Sequence, residues 1–390
     1  MVDEIGYRLR EIRHARRKSL EVVAGLAGIS PSYLSRLESG KRALDRRSLI
    51  VALANALDVA PTEITAVALA APGDAEEERA LGPIRVALQA AAYGELMGEV
   101  RSVDELRNRV ALVLDGQQNC EFAVVGATLP ALINDLYSTL AAGVGDQEVL
   151  RLLILTQVQG TQAWLGDMGA SPDLAWQASL LAKQASDRLD EPLYRAVSAF
   201  GTAFGLIGAG GFDFAARVLA DADPGTAESG DMQASGMLAL AGSLVSTAQG
   251  TDGDAGLAYA ADLARRTGEG NALWFGFGPA NVGVWRMSVA LEAGRPADAV
   301  RIAESLDPTA LRSPTRQSAY WRDYGRALAH IPSRRVDAVM MLRTAERISP
   351  ARIHRHPFAR ATIGELLAHA RDDAIGREIR AMAYRAGIRG

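Results

Sequence analysis

The sequence predicts an all-α protein in which a small basic helical head precedes a long acidic body of repeated helix pairs. Three observations predict it. Apolar residues recur at helical spacing almost throughout, with no strand-like alternation of useful length. Turns bearing Gly, Asp or Pro return at a steady interval: the alanines that follow them, Ala175, Ala215, Ala258, Ala299 and Ala338, lie 40, 43, 41 and 39 residues apart. Charge divides the chain as well. Residues 1 to 65 carry 11 Lys+Arg and 8 Asp+Glu, net +3, and the other 325 carry 31 and 38, net −7.

Composition excludes several classes. A chain of 390 residues is too long for one small core and predicts two or more domains. With 48% hydrophobic and 23% charged residues it is globular rather than disordered. The lone Cys120 excludes an intrachain disulfide and a cysteine-based zinc site. The charged run Met1 to Lys18 is no secretory signal, and the most apolar stretch, Ala196 to Phe214, is broken by Gly201, Gly205, Gly208, Gly210 and Gly211. No membrane association is therefore expected, and the expected location is the cytoplasm.

The elements of the head follow in order. Ile5, Leu9 and Ile12 give a first helix with one buried stripe. Ser19 can cap a second, whose inner face is Val23, Ala24 and Ala27, and Gly28 suits a sharp reversal. Ser30-Pro31 restarts the helix: the hydroxyl accepts an orphan N–H, and proline occupies the first helical position. In this third helix Leu34 and Leu37 point inward, while Ser32, Ser35, Arg36 and Ser39 share one short, donor-rich face. Gly40 ends it and Lys41-Arg42 follow; a fourth helix holds Leu49, Ile50, Leu53 and Leu57, and Pro61 starts a fifth with Ile64 and Val67.

The run Ser19-Leu20-Glu21-Val22-Val23-Ala24, continued by Gly28-Ile29-Ser30-Pro31-Ser32-Tyr33-Leu34-Ser35-Arg36-Leu37-Glu38-Ser39-Gly40, resembles the XRE (Cro/C1 repressor-type) helix-turn-helix family. The resemblance covers roughly residues 5 to 70 and implies a five-helix, lambda-repressor-like domain that binds double-stranded DNA, with the helix from Pro31 in the major groove. It puts Ser32, Ser35 and Arg36 nearest the base edges. Arg36 can donate twice to guanine or clamp a phosphate. Ser19, Ser39, Lys41 and Arg42 are implied phosphate contacts, whereas Arg17 and Lys18 either steer DNA or are plain surface charge. Arg13 and Glu38 align with an ion pair common in the family and are assigned to structure. Leu20 replaces a glutamine that many members aim at a phosphate, and Pro31 replaces another that can read a base.

The body resembles a tetratricopeptide-repeat array, somewhat longer per unit than usual, over about Asp146 to Ser349. Small alanines let paired helices approach, and each pair needs a neighbour to bury its remaining apolar face. The expected division is a DNA-binding domain at 1–70, a linker at 71–82 and a helical-repeat domain at 83–390 for sensing, dimerisation or both. A helix-turn-helix head on such a body is similar to peptide-sensing bacterial regulators and to actinobacterial XRE regulators. The implied protein is a homodimer on an inverted repeat, with a peptide, small-molecule or protein effector; the rival reading is a protein-interaction adaptor. Trp274, Phe277, Asn281 and Trp285 either line an effector site or form core between repeats.

Catalysis has little support. His14, His330, His354, His356 and His369 stand in no metal-binding pattern, and the glycines from Gly205 to Gly211 follow no strand that would make them a phosphate loop. Neither an enzymatic activity nor a cofactor or metal is expected.

Overall fold

The computed structural model describes residues 4–65 and 75–388. Val67 and the rest of the segment 66–74, expected to finish the head and begin the linker, lie outside the described residues. Among the described residues every regular element is helical, and no helix is long and apolar enough to cross a membrane.

Five helices make the head: α1 (Glu4–Ala15), α2 (Leu20–Leu26), α3 (Pro31–Glu38), α4 (Arg47–Leu57) and α5 (Pro61–Thr65). Leu9, Val23, Leu34, Leu37, Leu53, Leu57 and Ile64 are fully buried between them. Local chemistry sets each boundary. The Ser19 hydroxyl accepts the Val22 N–H at 3.3 Å and the Ser30 hydroxyl accepts the Tyr33 N–H at 3.2 Å, so α2 and α3 are both capped as their sequences predict. Between them Gly28 takes φ +69°, which glycine adopts without steric cost, and the Ile29 N–H returns to the Ala24 carbonyl. At the crossing of α1 and α3, a β-carbon on Gly6 would collide with the Leu37 carbonyl.

The body begins with α6 (Ala75–Tyr93), α7 (Val103–Gln118) and α8 (Phe122–Ala141). The chain is thus helical from Ala75, within the span 71–82 assigned to the linker, and Pro83 lies inside that helix. Next, α9 (Asp146–Leu155) runs through a π-helical segment, Thr156–Gln162, into α10 (Ala163–Asp167). Then comes α11 (Pro172–Leu189), followed by helix pairs closed by the repeat turns: α12 (Pro192–Ala209) with α13 (Phe212–Ala220), α14 (Ser229–Ala248) with α15 (Asp254–Thr267), α16 (Pro279–Glu292) with α17 (Pro296–Ser305), and α18 (Pro314–Ala329) with α19 (Arg335–Ile348). The last helices are α20 (Ala351–His354), α21 (Pro357–Ala368) and α22 (Ala374–Arg385).

The repeat register needs one correction. Ala215, Ala299 and Ala338 are fully buried and Ala175 is half-buried, but Ala258 is exposed, and the side chain facing inward at its level is Leu257. Gly253 caps α15 as Gly211 caps α13, so the fourth helical residue is Leu257; matching alanine to alanine slipped the alignment by one. One apolar core extends from Ile84 to Val289 and a second from Ala280 to Ile388. The head has its own core, but Phe358 and Ala361 of α21 belong to it, so head and body share apolar packing.

Candidate nucleic-acid interface

The third helix is held from behind by one ion pair. Arg13 of α1 donates from Nε to Glu38 Oε1 at 2.6 Å and from Nη2 to Glu38 Oε2 at 2.8 Å, with both side chains under a tenth exposed. Two parallel bonds fix both planes, a geometry that suits guanidinium and carboxylate. Hydrogen bonding to Glu38 raises the pKa of Arg13 further. The pair therefore joins α1 to the end of α3 and sets the tilt of the helix.

The opposite side of α3 is open. Ser32, Ser35 and Arg36 are exposed on it. The Arg36 guanidinium lies 5.8 Å from the Tyr33 ring centroid, and the Ser32 and Ser30 hydroxyls are 3.2 Å apart. Ser39 is half-buried and donates to the Arg36 carbonyl at 3.3 Å, while Lys41 is exposed.

The remaining basic residues divide between surface and scaffold. Arg17 is exposed, with φ 54°. Lys18 is half-buried and donates to the Ala56 carbonyl and to Asp58 Oδ2, both at 2.7 Å, so its ammonium closes the C-terminal end of α4. That hydrogen bond from Lys18 holds the Asp58 carboxyl below its ordinary pKa. Arg42 turns away from the open face, and its Nη1 lies 3.5 Å from Glu365 Oε1 on α21.

Arg42 belongs to a docking seam that the sequence did not announce. Glu365 also accepts the Ala43 N–H at 2.9 Å. Glu292, at the end of α16, accepts the N–H groups of Arg47 and Ser48 at 3.0 and 2.8 Å, so a body carboxylate caps head helix α4. Arg326 donates to the Asp45 carbonyl at 2.9 Å, and His330 Nε2 lies 2.9 Å from Asp45 Oδ2. Burial pushes the Asp45 pKa upward, but His330 and Arg326 outweigh it and hold the carboxyl below its ordinary value. The guanidiniums of Arg47 and Arg326 both lie over the Phe358 ring, at 5.0 and 4.9 Å.

Beside this seam lies a cavity of about 470 Å³. Of the four residues singled out for an effector, Trp274 and Trp285 line it. Asn281 lines a smaller neighbouring cavity of about 290 Å³ and donates to the Gly276 carbonyl at 2.9 Å. Phe277 is fully buried in the body core against Gly236. The sequence reading missed the polar half of the larger cavity: Arg47, Gln162, Arg316, Arg322 and Arg352. One signal was present, the polar run Thr156-Gln157-Val158-Gln159-Gly160-Thr161-Gln162 inside an otherwise apolar helical stretch, which is the π-helical segment.

A family model described as a helix-turn-helix domain matches residues 4–67. No curated protein and no solved structure matches the chain. The match spans α1 to α5 and supports a DNA-binding regulator.

Proposed function

We propose that the protein is a sequence-specific transcription regulator of the XRE type that binds an inverted-repeat operator as a homodimer, through a tetratricopeptide-like body that also takes an effector. One observation carries the reading. In a matched helix-turn-helix domain, Ser32, Ser35 and Arg36 stand exposed on a helix whose tilt is set by the buried Arg13–Glu38 pair. Arg36 is the principal base reader, with Lys41, Ser19 and Arg17 on the phosphates. Such a protein works in the cytoplasm, on the nucleoid when DNA-bound, and performs no catalysis.

Genome-wide mapping of bound sites, followed by a footprint on the strongest, tests the reading. The expected footprint is two half-sites whose centres are about 34 Å or a multiple of it apart, with affinity falling steeply as salt rises. Binding without sequence preference or salt dependence overturns it.

A second reading, an adaptor whose head serves for docking, is favoured by the seam itself, where Arg42 is engaged by Glu365 rather than left open. The same salt series separates the two, because an adaptor shows no phosphate-driven slope.

A further inference from the structure

The cavity beside the head–body seam has two chemically different ends. One is apolar and aromatic: the Phe204 and Trp285 rings meet edge to face at 5.8 Å, with Phe200 at 4.8 Å from Phe204. The other is cationic. Arg47, Arg316, Arg322 and Arg352 face it, against two carboxylates among the described residues, Asp167 and Asp323.

Those carboxylates are already committed. Asp167 accepts from Arg352 Nη1 at 2.7 and 2.8 Å and from Gln117 Nε2 at 2.9 Å. Asp323 accepts from Arg322 Nε at 2.9 Å and from Arg326 Nη1 at 3.0 Å. Arg316 donates to the Phe275 carbonyl at 2.8 Å, and among the described residues no carboxylate lies within ion-pair distance of it. Arg352 Nε, a donor, is buried without a hydrogen-bond partner. A buried donor of this kind calls for a partner, which an anion in the cavity can supply. The volume falls in the range of small-ligand pockets, about 300–1,000 Å³.

We infer that this cavity binds a small organic anion with a flat apolar portion, its charged group received by Arg316 and Arg352 and its ring by Phe204 and Trp285. The ligand's role as effector rests on the regulator reading; its binding does not. Arg47 connects the two, since its side chain lines the cavity while its backbone N–H is held by Glu292 at the seam. An anion that recruits the Arg47 guanidinium competes with its contacts to Glu292 and Phe358, and so changes how firmly the head is seated.

The test uses two dyes with the same aromatic frame on the intact chain without DNA: 8-anilinonaphthalene-1-sulfonate, which carries a sulfonate, and N-phenyl-1-naphthylamine, which does not. The anionic dye is expected to bind at one saturable site roughly tenfold or more tighter than the neutral one, the worth of a charge-assisted hydrogen bond. Arg316→Met should erase that preference and leave the neutral dye unchanged. Ser288→Trp, which fills the cavity, should weaken both. Amide exchange across residues 43–50 should change when the anionic dye saturates. Equal affinity for the two dyes, or anionic-dye binding unaffected by both substitutions, overturns the site; unchanged exchange at 43–50 overturns its link to the head. Loss of DNA binding with intact dye selectivity would refute the regulator reading and leave the cavity assignment standing.

Discussion

Glu292 of the body receives the backbone N–H of Ser48 at 2.8 Å and that of Arg47 at 3.0 Å, so the first turn of a head helix ends on a carboxylate nearly 250 residues away in the chain. A charged N-terminal cap of this kind satisfies orphan donors and meets the positive end of the helix dipole. Glu292→Ala removes both bonds and the ion pair with Arg47. The expected cost is about 2–3 kcal/mol, read as a lower urea midpoint and as faster amide exchange at residues 47–50. Unchanged exchange there would show that the head is seated by other contacts.

Arg13→Met leaves Glu38 buried and without its fork of donors. Breaking one side of a buried pair costs about 3–5 kcal/mol, whereas replacing both partners with apolar groups costs far less. The double variant Arg13→Met/Glu38→Leu is therefore expected to recover much of the stability while shifting the tilt of α3. Chemical denaturation reads the first effect and DNA affinity the second. Equal loss in the single and double variants would contradict the orphaned-charge account.

Arg36→Ala and Lys41→Ala should fail differently on DNA. The first should relax preference at one base pair by about 1–3 kcal/mol. The second should weaken all sequences alike and lower the salt slope by about 1. Binding series on matched and mutated operators at several salt concentrations distinguish them.

His356 makes stability fall in mild acid. Burial, then the surrounding Arg322 and Arg326 of α18, Arg47 of α4 and Arg352 of α20, holds its pKa well below the ordinary 6.5. The unfolded imidazole binds protons more readily than the folded one. Stability is thus fully present above about pH 6.5 and declines as pH drops through that value. His356 also accepts the Ala359 N–H at the start of α21, and asparagine can replace it as a cap. Between pH 7.5 and 5.5, His356→Asn should lose roughly 1 kcal/mol less than the parent chain by urea denaturation. Identical pH slopes would remove His356 as the cause. Glu346 and Asp323, both held near 2 against the opposing effect of burial, lie outside this window because their ordinary values, 4.5 and 3.8, are already below it.

The head was legible in the sequence because its signals are local. Ser19, Ser30 and Pro31 act within a few residues of themselves, and Gly28 needs only its own backbone. The repeat was legible as a period but not in its exact register, since Ala258 and Leu257 differ by one helical position and only burial distinguishes them. The seam and the cationic end of the cavity were not legible. Arg42 and Glu365 are separated by 323 residues, and in a chain with 39 arginines no single arginine announces its partner. Lys18 shows the same limit, because a basic residue beside a helix-turn-helix reads equally well as a phosphate contact or as a clamp on the end of α4.

With Glu292 and Glu365 gripping its fourth helix and the loop before it, the head is carried like a fixed tool bit rather than a hand on a wrist. In the proposed dimer, the spacing of two such heads on a duplex follows from the mass behind them, as from a ruler. Inserting extra residues into the connector should leave operator spacing untouched, and evolution could retune which promoters are reached through positions that never approach a base.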